Sequence, residues 1–268
     1  MARITLLTDF GTEDGFVGAM KGVLATHAPM ALVEDITHAV PPGDVRKASQ
    51  VLGRYWCRFP PRTVHLVVID PGVGTSRRSL AVRADERLLV GPDNGLFSLV
   101  FSEALEWVCV ELKPSELLPA PTSETFHGRD WFAPAAALLA TGTPLELLGE
   151  PISDPVLLRE VPRKKVGEWV VGEVVEVDRF GNLATNLPEE LVRLTGEVGV
   201  EGCWIPLRRS YGEVESGELL ALIDSDGRVE VAVRDGSATK RLGVGMGGSV
   251  RIRIPPEAGA AYPPSSHR

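Results

Sequence analysis

The chain has 268 residues, of which 44% are hydrophobic and 24% charged, a composition typical of a globular protein with one large domain or two smaller ones. The net charge of −8 argues against nucleic-acid binding, because no basic stripe is present to neutralise phosphates. No apolar run reaches the length of a membrane span, and the early acidic residue Asp9 argues against a signal peptide, so we expect a cytoplasmic protein. Cys57, Cys109 and Cys203 are few and widely spaced, which suggests neither a disulfide framework nor a zinc site.

The first part of the chain alternates strand patterns with helix patterns. Apolar runs typical of strands cover residues 4–8, 31–36, 64–69 and 107–112, with a short hairpin or edge pair at 80–83 and 87–90. Helical patterns cover residues 16–27, 45–55, 96–101 and 131–141. Strands that alternate with helices indicate an α/β domain of the βαβ type with a mostly parallel sheet, which we assign to residues 1–160.

A change in composition near Pro151 predicts a second domain. Residues 151–165 contain three prolines and a small basic cluster, which we interpret as a linker. Beyond this linker the helical period is lost, and short strands are expected over residues 168–177, 202–207, 218–223, 228–233 and 249–254. This pattern favours a small β-barrel or sandwich at residues 166–256, and we expect the tail, residues 257–268, to be disordered.

One stretch of the first domain suggests a functional site. An almost unbroken apolar run from residue 64 is typical of a strand buried on both faces of a parallel sheet. The run ends at Asp70, and Pro71 with the glycines behind it prevents a strand or helix from continuing. An Asp at this position faces the crevice in which open α/β sheets bind ligands. Arg77 and Arg78 follow, but spacing alone does not decide which lies beside Asp70, and an Asp that only caps a turn is the alternative interpretation.

Other polar residues at strand ends and in glycine-rich turns are further candidates. No Gly-x-Gly-x-x-Gly turn follows the first strand and no Walker-type lysine loop is present, which argues against a standard dinucleotide fold. A carboxylate at a strand end suits a pair of ribose hydroxyls, and an Asp, an Arg and a His together can hold a water whose proton the His accepts. A histidine that bonds to a nearby carbonyl is the commoner alternative. The candidates are Asp9, Asp14, Asp70, Arg77 and His127 in the first domain, and Asp178, Asn182 and Ser225 in the second.

Six motifs, in order between about residue 3 and residue 254, resemble those of one enzyme family. They are Thr8-Asp9-Phe10-Gly11, Asp35-Ile36-Thr37-His38, Val68 to Gly74 with Arg77-Arg78, Gly91-Pro92-Asp93-Asn94-Gly95, Phe126-His127-Gly128-Arg129-Asp130 and Asp178-Arg179-Phe180-Gly181-Asn182. On these motifs the chain resembles the S-adenosyl-L-methionine (SAM) hydrolases, also called SAM hydroxide adenosyltransferases, which are related to the SAM-dependent fluorinases and chlorinases. The resemblance implies an N-terminal α/β domain, a C-terminal β-barrel and a homo-oligomer, a trimer with active sites between neighbouring subunits.

The resemblance also implies an activity and a set of site residues. The activity is hydrolysis of SAM to adenosine and L-methionine by attack of water or hydroxide on C5′ of the ribose, with no metal and no cofactor. The implied catalytic residues are Asp70, Arg77 and His127. The resemblance thus favours Arg77 over Arg78. It also implies that Asp9 holds the ribose hydroxyls. The remaining implied substrate-binding residues are Asp14, Gly15, Phe16, Asp178, Asn182, Ser225, Asp226, Glu230, Val233 and Arg234. The halogenating relatives have an Arg in place of Asp226, and Arg234 matches its motif only loosely.

Three alternatives stay open at this point. A halogenase would use halide in place of water, but the inserted loop of the halogenating relatives is not found in the α/β domain. A non-catalytic adenosine- or SAM-binding protein would keep Asp9 and Asn182 without needing the three catalytic residues together. A metal-dependent hydrolase could use His127, His38 and the aspartates, and activity that is insensitive to a chelator would exclude it.

Overall fold

The computed structural model describes residues 2–254 and divides the chain into two compact units, Met1–Leu158 and Arg159–Arg268. Each unit is described by itself. The tail that we expected to be disordered, residues 257–268, lies outside the described residues.

The first unit is built on a seven-stranded mixed sheet. Its strands are β1 (Arg3–Thr8), β2 (Leu32–Thr37), β3 (Val64–Val68), β4 (Ser79–Ala84), β5 (Arg87–Pro92), β6 (Trp107–Leu112) and β7 (Gly149–Ile152). The strand order is β2-β1-β3-β5-β4-β6-β7, in which β2, β1, β3 and β5 are parallel. Since β4 is antiparallel to both β5 and β6, and β7 is antiparallel to β6, only β4 and β7 run against the other strands. The predicted mostly parallel sheet is therefore confirmed.

Helices cover both faces of this sheet. They are α1 (Phe16–His27), α2 (Val45–Tyr55), α3 (Ser98–Glu103) and α4 (Ala133–Ala140). One buried cluster joins the sheet to α1 and α4, and another joins it to α2 and its neighbour α3. Every residue of β3 is buried, and the strand pairs with a parallel neighbour on each side, as its apolar sequence predicts. Asp70, which follows this strand, therefore lies at the carboxyl-terminal edge of the sheet.

The structure differs from the sequence prediction in four places in this unit. The pair β4 and β5 forms the predicted hairpin, but it lies inside the sheet, so its assignment as an edge pair was wrong. The helix expected from residue 131 begins with a wide π-type turn at Gly128–Phe132. Helix α3 begins and ends two residues later than expected, and Leu96 and Phe97 lie buried in the segment before it. Strand β7 was not predicted. It contains Pro151, and this proline led us to begin the linker there.

The second unit is a nearly closed antiparallel β-barrel. Its strands are β8 (Lys164–Val166), β9 (Trp169–Val177), β10 (Leu183–Thr185), β11 (Glu197–Val200), β12 (Cys203–Pro206), β13 (Leu219–Ile223), β14 (Val229–Val233) and β15 (Ser249–Arg253). The order is β12-β11-β15-β9-β10-β14-β13, with β8 on the side of β9. Leu207, just after β12, bridges to Ala221 in β13, so the two end strands approach each other. This approach favours the barrel over the sandwich.

The sequence prediction missed several short elements of the barrel. It expected no helices here, but α5 (Glu189–Thr195) and α6 (Ala238–Leu242) are present. Both are too short to display a helical period, and each ends at a glycine with a left-handed backbone. The strands β8, β10 and β11 were also missed, since they have only three or four residues.

Candidate active site

The first part of the candidate site is the turn that follows β3. The backbone N–H of Val73 donates to the carbonyl of Asp70 at 3.2 Å, which closes the turn. Gly74 has φ +77°, and a Cβ at this position would lie 2.9 Å from the carbonyl oxygen of Glu124. A glycine is therefore needed where the turn lies against the segment that leads to His127.

Arg77 is the centre of a hydrogen-bonded cluster with Asp70 and His127. Its Nε and Nη2 donate to the two carboxylate oxygens of Asp70 at 2.8 and 2.5 Å, in the bidentate arrangement that suits a guanidinium. Nη1 donates to Ser79 Oγ at 2.6 Å and to the carbonyl of Arg78 at 3.4 Å, and Nη2 also contacts His127 Nδ1 at 2.7 Å. The five N–H groups of Arg77 all have acceptors. The cluster therefore depends on both the positive charge of Arg77 and the planar shape of its guanidinium.

The contact with Arg77 determines the protonation of His127. A guanidinium can only donate, so Nδ1 must accept, and the ring is neutral with its proton on Nε2. Burial lowers the pKa of His127, and the charge of Arg77 lowers it further, while the nearby carboxylates of Asp70 and Asp130 oppose this shift. In this form His127 donates through Nε2. We had expected it to accept a proton from water, and the geometry favours the opposite direction.

The structure separates the two adjacent arginines that the sequence could not distinguish. Arg78 donates from Nε to Asp93 at 2.7 Å and from Nη1 to Asp154 at 2.8 Å. Arg77 alone of the two contacts Asp70. Phe132, whose ring lies 5.2 Å from the guanidinium carbon of Arg77, was not identified from the sequence.

The residues expected to bind the substrate in the first unit lie around the end of β1. Asp9 follows this strand, and its Oδ2 accepts the backbone N–H of Gly43 at 2.7 Å. Asp14 and Gly15 are exposed immediately before α1, with Gly15 in a left-handed conformation at φ +74°. Phe16, the first residue of α1, is 47% exposed.

An aromatic cluster joins the Asp9 segment to the His127 segment. The rings of Phe10, Phe16 and Phe126 pack edge to face, with centroids 5.3 to 6.2 Å apart. Since Phe10 follows Asp9 and Phe126 precedes His127, the cluster keeps the two segments together. The sequence-predicted residues of the first unit therefore converge on one edge of the sheet.

In the second unit, Asp178 and Asn182 form one tight turn. Asp178 Oδ1 accepts the backbone N–H groups of Phe180 and Asn182 at 2.8 and 2.9 Å, and its Oδ2 accepts the Asn182 side-chain amide at 3.1 Å. Gly181 has φ +84°, and a Cβ there would collide with Ser237 Oγ at 2.1 Å. The turn that carries Asp178 and Asn182 is thus packed directly against the start of α6.

Tyr211 extends this polar cluster to Glu230 and was missed by the sequence analysis. Its hydroxyl donates to Glu230 Oε1 at 2.6 Å and lies 3.5 Å from the amide nitrogen of Asn182. Burial raises the pKa of Glu230, and the same cause raises the pKa of Tyr211. Tyr211 lies in a single 3₁₀ turn without a motif, so nothing in its sequence neighbourhood indicated a role.

The other predicted residues of the second unit have different surroundings. Ser225 is exposed, and Asp226 pairs with Arg228 at 3.1 Å. Arg234 donates to the carbonyl of Val214 at 2.6 Å. The side chain of Val233 belongs to the barrel core, and its carbonyl accepts the backbone N–H of Gly236 at 3.2 Å.

Two further observations concern a metal site and a membrane-spanning helix. Among residues 2–254 no group of three or more His, Cys, Asp or Glu side chains is arranged to hold a metal ion. His38, a candidate ligand, instead bonds through Nδ1 to Thr8 Oγ1 at 2.8 Å, with Nε2 3.1 Å from Asp35. In the same described range, no helix combines the length and apolarity that crossing a membrane requires.

Curated relatives cover nearly the whole chain. It is 44% identical to the (R)-S-adenosyl-L-methionine hydrolase of Salinispora tropica, covering 93% of this chain and 97% of that protein. It is 43% identical to the protein of the same name from Thermus thermophilus, covering 94% and 100%. A fluorinase from Nocardia brasiliensis is more distant, at 27% identity over 94% and 96% of the two chains.

Solved structures and family models agree with these relatives. A conserved protein of Thermotoga maritima superposes with a TM-score of 0.85 at 40% identity, covering 93% of this chain and 99% of that one. A conserved protein of Thermus thermophilus gives 0.77 at 40% identity, with 95% and 100% covered. The models described as the SAM hydroxide adenosyltransferase N-terminal and C-terminal domains match residues 4–149 and 172–251. The chain therefore belongs to the SAM hydroxide adenosyltransferase family.

Proposed function

We propose that this protein hydrolyses SAM to adenosine and L-methionine by attack of water or hydroxide on C5′ of the ribose. The observation that carries the proposal is the cluster of Asp70, Arg77 and His127, which offers a water both an acceptor and a donor. Relatives at 43% and 44% identity that are named (R)-SAM hydrolases support the same substrate. Because their name specifies the (R) form, we propose that this form of SAM is the preferred substrate.

Asp70 and His127 are the two groups that we assign to the attacking water. Two of the four lone-pair positions of the Asp70 carboxylate are occupied by Arg77, which leaves positions that can accept from water. His127 can donate to the water oxygen through Nε2–H. Since Arg77 has no acceptor atom and His127 Nδ1 is occupied, Asp70 is the group in this cluster that can take a proton from the water. The positive charge of Arg77 stabilises the resulting hydroxide.

The chemistry of SAM fits a site of this kind. The sulfonium makes methionine depart as a neutral thioether, so the leaving group needs no general acid. Catalysis then consists of aligning the water behind C5′, removing its proton and excluding other water. Attack of an anion on a cation neutralises both charges, so a dry pocket favours the transition state over the separated ions.

Binding of the rest of the substrate is assigned to the predicted residues on each unit. We propose that Asp9 accepts hydrogen bonds from the ribose hydroxyls, beside the wall formed by Asp14, Gly15 and Phe16. We assign the methionine and adenine portions to the predicted residues of the second unit. These are Asp178, Asn182, Ser225, Asp226, Glu230, Val233 and Arg234, with the addition of Tyr211.

We further propose a homo-oligomer, a trimer as the resemblance implies, in which the residue sets of neighbouring subunits complete each active site. Family membership supports this proposal. Light scattering should give a trimeric mass at the assay concentration. A monomeric mass with full activity at that concentration would overturn it.

We propose that the reaction uses no metal and no cofactor, and that it takes place in the cytoplasm. The neutral leaving group supports the first statement, because no Lewis acid is needed to stabilise it. The free thiols of Cys57, Cys109 and Cys203 support the second, since thiols persist in a reducing compartment. Activity should be unchanged after prolonged treatment with EDTA, and loss that added metal restores would contradict the proposal.

The product assay tests the activity itself. Purified protein is incubated separately with the (R) and (S) forms of SAM, and adenosine and methionine are separated by chromatography. We expect both products in equal amounts, formed faster from the (R) form. Absence of adenosine above the uncatalysed background from either form would exclude the activity.

Adding chloride or fluoride to this assay distinguishes hydrolysis from halogenation. The alignment with the Nocardia brasiliensis fluorinase spans 290 positions, more than the 268 residues of this chain, so that protein has residues without a counterpart here. We expect adenosine as the product with or without chloride or fluoride. Formation of a 5′-halogenated nucleoside would identify a halogenase instead.

A further inference from the structure

The loop after β5 has side chains that contact both ends of the Asp70–Arg77 turn. We propose that Asp93 and Asn94 are positioning residues that hold Asp70 and Arg77 in the arrangement that activates water. The inference rests on the proposed function, because it gives these two residues a role in the same reaction. Neither residue is among the groups assigned to water or substrate.

Asn94 fixes the start of the turn. Its amide nitrogen donates to the carbonyl of Ile69 at 2.9 Å, and this carbonyl belongs to the peptide bond that Ile69 shares with Asp70. The amide oxygen accepts the backbone N–H of Leu96 at 3.3 Å. One backbone acceptor and one backbone donor thus set the orientation of the amide, so an acid in its place would lose the bond to Ile69.

Asp93 fixes the end of the turn. Its side chain is 1% exposed, and its two oxygens accept from Arg78 Nε and from the backbone N–H of Val156, both at 2.7 Å. The backbone N–H of Asp93 donates at 3.0 Å to the carbonyl of Arg78, the same carbonyl that Arg77 Nη1 contacts. Asp154 holds the other side of the Arg78 guanidinium. The residue directly after Arg77 is therefore fixed by both its backbone and its side chain.

These contacts matter because the segment between the two ends is held mainly by local hydrogen bonds of its own, such as those from the N–H of Val73 to the carbonyl of Asp70 and from Thr75 Oγ1 to the carbonyl of Gly72. Thr75 and Ser76 are exposed, and Gly72 and Gly74 give the backbone additional freedom. Arg77 must still present its guanidinium to both Asp70 and His127 with hydrogen bonds of 2.5 to 2.8 Å. A displacement of about 1 Å in such a site can cost about 10²-fold in rate.

The competing explanation is that Asp93 and Asn94 have a purely structural role. A variant at the other end of β5 distinguishes this explanation from a positioning role. Arg87 begins β5 at the opposite edge of the sheet, where it donates to the carbonyls of Phe59 and Cys57 at 2.8 and 2.9 Å. These hydrogen bonds link the same strand to a neighbouring segment that is not part of the Asp70–Arg77 turn. Arg87→Lys is therefore the matched control for Asn94→Asp.

The experiment compares full-length wild type, Asn94→Asp and Arg87→Lys. We expect Asn94→Asp to lower kcat by about 10²-fold with a much smaller change in KM, and Arg87→Lys to lower the melting temperature while kcat stays within about twofold. In nitrogen-15 NMR spectra of the His127 ring, Asn94→Asp should alter the signals of Nδ1 and Nε2, because Arg77 is displaced. Arg87→Lys should leave these signals unchanged.

Two results would overturn the inference. One is an Asn94→Asp protein with wild-type kcat and His127 signals, and the other is a loss of kcat in both variants that follows their loss of stability. If Asn94→Asp does not fold, Asp93→Asn tests the other end of the turn with the same measurements and the same expected outcomes. A wild-type protein without SAM hydrolysis would disprove the proposed function, while the His127 signals would still test the positioning.

Discussion

Arg77 is the residue on which the candidate site depends most. Its planar guanidinium donates hydrogen bonds to Asp70, Ser79 and His127 at the same time. The three donors of a lysine ammonium cannot reproduce this geometry. We predict that Arg77→Lys lowers kcat by about 10²- to 10⁴-fold, the range for groups that assist proton transfer. Steady-state kinetics on SAM would measure this loss, with Arg87→Lys as the control. A variant within a few-fold of wild type would show that charge alone is sufficient.

The neutral state of His127 predicts an unusual pH profile. Protonation would place an N–H opposite the Arg77 guanidinium, and the pKa of His127 is lowered, so the active neutral form should persist below pH 6.5. We predict that kcat/KM stays level as the pH falls through about 6.5 and decreases only at lower pH.

A glutamine at position 127 tests the direction of the hydrogen bond. Glutamine can accept from Arg77 and donate in place of Nε2, but it cannot take up a proton. We predict that His127→Gln keeps far more activity than His127→Ala and has a weaker decrease on the acid side. Equal inactivity of the two variants would restore the role of proton acceptor that the sequence had suggested.

At the scale of elements, the close approach of two loops depends on Gly74. Its Cβ would lie 2.9 Å from the Glu124 carbonyl, whereas Gly142, at φ +99°, has nothing within 4 Å. Both positions strain an alanine, at a cost of about 1 to 3 kcal/mol. We predict that both Gly→Ala variants are destabilised but that only Gly74→Ala also loses kcat, since it displaces the segment before His127. Thermal melts and kinetics on the same samples would show whether the two effects separate.

Strand β3 carries a buried histidine whose protonation opposes folding. His65 is fully buried, bonds to Thr5 Oγ1 at 2.8 Å, and has its pKa lowered by burial to about 3. The unfolded chain binds this proton near pH 6.5, so the free energy of unfolding should fall as the pH drops from 6.5 towards 3, by at most about 1.4 kcal/mol per pH unit. We predict that His65→Asn flattens this slope. His27→Asn, at an exposed position, should not change it, and an unaltered slope in both would exclude His65 as the cause.

The elements that the sequence predicted well are those with a long, regular pattern. Strands β1, β3 and β9 have continuous or strictly alternating burial, and their predicted ranges agree with the structure to within one residue. Short elements carry too little pattern: β10 has three residues and α6 has five. Strand β8 is wholly exposed, so no apolar residue pattern marks it.

The same limit applies to the site. Asp70 could be predicted because a carboxylate that ends a buried strand is a strong local signal. The contacts of Arg77 with Asp70 and Ser79, and of Tyr211 with Glu230, depend on how separate segments pack, which spacing along the chain does not reveal. The resemblance to a family supplied Arg77, but the proton on His127 Nε2 could be inferred only from the geometry.

At the scale of the whole molecule, the α/β unit would activate water and the barrel unit would bind the remainder of SAM. In the proposed reaction, oxygen from water becomes bonded to C5′. Hydrolysis in ¹⁸O-labelled water, followed by mass spectrometry of the products, tests this directly. We predict that the label appears in the 5′-hydroxyl of adenosine and not in methionine. Unlabelled adenosine formed by the enzyme, or label in methionine, would contradict attack at C5′.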